Sequence, residues 1–134
     1  MTSPAVDVLL FRLGGHRLAV ELQLVSSVLN ADEARGMNQI DPRPFLMPRD
    51  GHRSQPYQLN ANPRVGLLDV SGPPLVVILG EILGSATLTR DNILAIPPLI
   101  AGFLPPVFQP ACAWLDQKVV WLLDLDILRN TATL

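Results

Sequence analysis

The chain has 134 residues, of which 49% are hydrophobic and only 16% charged, with a formal net charge of −2. That balance gives no electrostatic footprint for nucleic acid or an anionic membrane surface, and the single cysteine, Cys112, excludes an internal disulfide and a thiolate–metal cluster. With so few charged groups the surface itself must be fairly apolar, a composition that favours partner binding over catalysis.

The length suits one domain over residues 1–134. Met1 is followed by neither a basic segment nor an apolar one, so no signal peptide is expected and a cytoplasmic location is. Val6–Leu13 (VDVLLFRL) reads as a strand, and Gly14-Gly15-His16 supplies the positive φ values of a tight hairpin turn. Arg17–Glu21 then alternates, placing Leu18 and Val20 on one face and Arg17, Ala19 and Glu21 on the other. Leu22, Val25 and Leu29 recur at i, i+3 and i+7, which predicts a short helix or a turn of helix within Leu22–Leu29. Residues 31–63 hold five prolines among Arg35, Arg43, Arg49 and Arg53 and read as an irregular connection, with only Gln39–Leu46 a candidate for a short edge strand.

Strands resume at Arg64–Val70 and Leu75–Leu79, joined by Ser71-Gly72-Pro73. Gly80–Leu88 continues as a bent strand, with Gly80 and Gly84 permitting bulges, and Thr89–Asn92 forms a turn. Ala111–Leu115 and Lys118–Leu123 make a hairpin around Asp116-Gln117, and Asp124–Arg129 closes the chain as a short helix. Ile93–Leu115 runs 23 residues without a charge, long enough for a membrane-spanning helix. Pro97, Pro98, Pro105, Pro106 and Pro110 interrupt it, each removing a helix hydrogen bond at a cost of about 3 kcal/mol. No direct membrane insertion is expected. Short strands joined by turns predict an all-β barrel or sandwich.

Reactive chemistry is sparse. Asp124-x-Asp126 sits at a strand end, where carboxylates cap a following helix, and no third oxygen-rich cluster accompanies it. His16 and His52 have no ligand partner at metal spacing. Gly80-x-x-x-Gly84 lacks the lysine of a phosphate loop, and Ser71 is not in a nucleophile elbow. Cys112 reads as a buried hydrophobe and Trp121 as core, whereas Trp114 is an interface candidate. No catalytic residue, metal site or cofactor is expected, and the chain is read as a non-enzyme.

With these elements placed, the chain resembles the CheW-like domain of bacterial chemosensory systems. LLFRLGGHRLAVELQLVSSVL resembles the family's first hairpin and the segment after it. LVVILGEILGSATLTRDNILAIPPL resembles its apolar strand, the valine-rich continuation and the stretch ending in proline. ACAWLDQKVVWLLDLDIL resembles its closing hairpin. The resemblance implies a pair of small SH3-like β-barrels sharing a core, with short helices after the first hairpin and at the C-terminus. It also implies a non-catalytic adaptor that couples a chemoreceptor's cytoplasmic tip to a histidine kinase by protein–protein contacts. Val25, Ser27 and Val28 lie on the segment resembling the family's receptor-contacting region, and Trp114 completes the expected partner-binding set. The family's central segment has no counterpart here, Ser27 stands where the family usually has Glu, and Gly80 where it usually has Asp. The competing expectation is a self-associating β-barrel module outside chemotaxis, homodimeric through an apolar edge that the abbreviated centre exposes.

Overall fold

The computed structural model describes residues 5–13, 15–45, 63–69, 72–97, 99 and 108–132. Strands β1 (Ala5–Leu13) and β2 (His16–Glu21) pair antiparallel from Leu13 opposite His16 to Val8 opposite Glu21, as the glycine turn predicts. Along β1, Leu9, Phe11 and Leu13 enter one hydrophobic core while Val8 enters a second. Alternate residues of a strand point to opposite faces, so the two cores lie on opposite faces of this hairpin. Ala19 lies on the face opposite Leu18 and Val20, as expected, but that face is covered too: Ala19 is fully buried in the second core. The small side chain made a buried position look like an outward one.

Of the short helix or helical turn expected within Leu22–Leu29, a single turn forms. Only Leu22–Leu24 forms a 3-10 turn, and Val25–Leu29 is strand β3. Two β-branched valines disfavour a helix there, and β4 (Arg64–Leu68) offers a ladder that an isolated helical turn lacks. Ser26 Oγ also donates to the Leu67 carbonyl at 3.0 Å.

The described part of the 31–63 connection is folded. Asn30 and Glu33 cap a turn reciprocally: the Glu33 amide donates to Asn30 Oδ1 at 2.8 Å and the Asn30 amide to Glu33 Oε1 at 3.2 Å. Further on, Ile40 bridges in parallel to Val77, donating to the Val76 carbonyl at 2.7 Å and accepting from the Ile78 amide at 2.9 Å. Of the short edge strand that Gln39–Leu46 was a candidate for, this single bridge forms among the described residues. Pro42, which has no N–H to extend the ladder, is fully buried beside it. Residues 46–62, which include Arg49, His52 and Arg53, lie outside the described residues.

Strand β5 (Leu75–Thr89) is 15 residues long and belongs to both halves of the molecule. Its first half pairs with β4 and its second with β1. The bend falls where expected: Gly80 has φ +80° and Gly84 φ +137°, and the register shifts beside both. A 3-10 turn at Arg90–Asn92, closed by the Thr89 amide donating to Asn92 Oδ1, leads into β6 (Ile93–Ala95). β7 (Phe108–Leu115) and β8 (Lys118–Leu123) form the closing hairpin, and helix α1 (Leu125–Ala132) follows. No helix among the described residues is long and apolar enough to cross a membrane, and Ile93–Leu115 begins and ends in strands.

The strands form one sheet in the order β3-β4-β5-β1-β2-β8-β7-β6. The all-β expectation holds. The ladder does not close among the described residues, so the expected pair of closed barrels is seen as one bent sheet with a core on each face. Strands β1, β2 and β8 feed both: Leu18, Leu123 and Phe11 on one side, Ala19, Val120 and Val8 on the other. That is the physical content of two lobes sharing a centre.

Candidate partner-binding surface

The four expected contact residues fall into two places. Val25, Ser27 and Val28 lie on β3, at one end of the sheet; Trp114 lies on β7, next to the other end, with five strands between them. Within β3 the exposure alternates. Val25 is half-buried and packs against the first core, and Ser27 is half-buried too. Val28 is 39% exposed and offers its side chain outward. The edge therefore leaves Val28 open to solvent, while Val25 packs into the first core.

Trp114 is 45% exposed and stands opposite Val119 in the closing hairpin. Leu94 pairs with Cys112, two residues from Trp114 and so on the same face. Leu94, Trp114 and Val119 thus form an exposed apolar strip across β6, β7 and β8, continuous with Trp121, which stacks on Phe108 at 5.1 Å. Val119 follows from the two-residue turn, because Leu115 opposite Lys118 fixes Trp114 opposite Val119. Leu94 carried no sequence signal: a three-residue strand is too short to show a period.

Electrostatics at these surfaces is slight. The half-buried ion pair of the described residues joins Asp41 and Arg43, with the guanidinium on Asp41 Oδ2 at 2.6 Å and the Arg43 amide donating to Oδ1 at 3.0 Å. Burial pushes the Asp41 carboxyl up, but the hydrogen bonds from Arg43 and its charge outweigh that and hold it below the usual 3.8. The pair pins the Ile40 segment beside a cleft of about 480 Å³ lined by Asn38, Pro73, Leu75, Val76 and Arg129, among others. Arg129 closes its far side by donating to the Pro73 carbonyl. Asp124 caps α1, accepting from the Ile127 amide at 3.1 Å. No group of three or more potential metal ligands occurs among the described residues. What the surface offers is an open sheet edge and an apolar strip, and both suit protein contacts.

No protein-family model and none of the curated proteins matches the chain in sequence. Solved structures do match in shape. The crystal structure of the scaffolding protein TtCheW from Thermoanaerobacter tengcongensis superposes with a TM-score of 0.70 at 14% identity, covering 93% of this chain and 92% of that one. The two chains thus overlap over nearly their whole lengths. The eight-stranded sheet described above is therefore a CheW-like fold.

Proposed function

We propose that the chain is a non-catalytic adaptor of a bacterial chemosensory complex, cytoplasmic, coupling a chemoreceptor tip to a histidine kinase through protein–protein contacts. The observation that carries this reading is the end-to-end structural likeness to a scaffolding protein. The polar chemistry supports it: Asp41, Asp124 and Glu33 all have structural partners. Val28 with the β3 edge forms one contact surface, underlain by Val25 and Ser27, and Trp114 with Leu94 and Val119 forms the other. The spacing of the two across the sheet suits a molecule that holds two partners at once.

The test is binding of the purified protein to a receptor-tip fragment and to a kinase regulatory fragment by titration calorimetry. Association with at least one is expected, since transient contacts register at about 100 μM. Val28→Arg is expected to weaken binding at the β3 edge, and Trp114→Ala binding at the strip, each about tenfold with the circular dichroism unchanged. Absence of binding to either fragment at that concentration would overturn the adaptor reading.

A further inference from the structure

The first half of β5 has one edge that is almost unpaired. β4 takes one side of residues 75–80, and β1 joins the other side only from Glu81 onward. On the open side Ile40 makes a single parallel bridge, donating to the Val76 carbonyl and accepting from the Ile78 amide. The ladder stops there in both directions. Pro42 has no amide to extend it, and the Asn38 backbone makes no bond to β5, although Asn38 lines the cleft beside it.

What this leaves behind follows from the strand itself. A residue's amide and carbonyl turn to the same side, so the Val76 amide faces the open edge along with its carbonyl. The Pro74 carbonyl, two residues earlier, faces the same way. Among the described residues neither group has a hydrogen-bond partner, and both residues line the cleft of about 480 Å³. Its walls are otherwise largely apolar, with Ile40, Pro73 and Leu75, and its volume is that of a ligand site.

These two groups specify the ligand. In a parallel ladder one residue donates to a carbonyl on one side of its partner and accepts from an amide on the other, as Ile40 does about Val77. A peptide residue opposite Leu75 makes the same two bonds, to Pro74 and Val76. An antiparallel strand does not fit, because it needs both groups of one residue: Pro74 lacks an amide and the Val76 carbonyl is taken. Running parallel, the peptide heads toward Ile40, which already holds the next position. It must end there, and a terminal carboxylate then meets the Val76 amide. The exposed Asn38 side chain on the cleft wall supplies a further donor, and Asp41, the carboxylate on that wall, is neutralised by Arg43. Paired residues share a face, so the last side chain lies beside Leu75 and suits a small apolar residue.

We infer that the cleft captures the C-terminal end of another polypeptide as a short parallel strand, its carboxylate on the Val76 amide. The site lies on the side of β5 away from β4 and β3, apart from both surfaces of the adaptor reading, and its assay contains neither receptor nor kinase. The probe is N-acetyl-Ala-Thr-Val with a free carboxylate, titrated into the isotope-labelled full chain and followed by NMR. Binding at about 1 mM is expected, with the Val76 amide resonance shifting and its exchange slowing. The same peptide as its C-terminal amide should bind about tenfold more weakly. Asn38→Asp, at an exposed site, sets a like charge beside the carboxylate and should also weaken binding about tenfold. Val76→Pro removes the amide while leaving the bonds to β4 in place, and should abolish binding; if that variant does not fold, the other two comparisons decide. An unmoved Val76 resonance at about 20 mM peptide, equal affinity for acid and amide, or full binding by either variant would each overturn the proposal. So would a Val76 amide already protected in the free chain, because the chain would then cover the cleft itself.

Discussion

The Asp41 carboxylate shows how one residue fixes a segment that the sequence leaves looking irregular. Asp41, Pro42 and Arg43 combine an ion pair with a buried proline, and together they hold Ile40 against β5. The folded carboxyl titrates below 3.8, its ordinary value, so the pair's stabilisation is fully present above that pH. It is lost as pH falls through the depressed folded value. Urea midpoints measured from pH 6 to about 2.5 are expected to decline more steeply for the native chain than for Asp41→Asn. The sequence offered the segment only as a candidate edge strand, because its order comes from pairing with a strand far along the chain, whereas composition reports only that prolines and arginines are frequent.

At the scale of the element, β3 and β5 teach different lessons. In β3 the apolar positions fit helix spacing, yet the strand forms because β4 supplies hydrogen bonds that a short helix cannot match. Periodicity over eight residues does not separate the two. In β5 the bend was legible, because a glycine inside an apolar run signals a bulge. Gly80 is required twice over: its φ is +80°, and a Cβ there would stand 2.6 Å from the Arg12 carbonyl oxygen. Gly80→Ala is expected to cost about 2 kcal/mol or more, read as a lowered denaturation midpoint.

For the whole molecule, chain order and hairpin turns revealed the all-β class, the closing hairpin and the terminal helix. They did not reveal that the sheet is buried on both sides at its centre. Ala19 is the telling residue: flanked by Leu18 and Val20, it reads as the outward member of an alternating strand, yet it packs with Val8, Ala113 and Val120. Ala19→Leu is expected to destabilise by about 1–3 kcal/mol through overpacking, measurable by urea unfolding, whereas a surface alanine would tolerate it. Of the proposed contact surface, Trp114 was singled out because tryptophan is enriched where proteins meet, and the structure leaves it exposed. The strip around it needed the sheet order, which no local pattern encodes.

Because β5 enters the ladder of β4 and leaves it in the ladder of β1, one unbroken length of backbone runs through both lobes. The lobes cannot drift apart or rotate freely without tearing hydrogen bonds from that strand. Anything gripping the β3 end and anything gripping the β7 end would consequently be held at a set span, as by the two jaws of a fixed gauge.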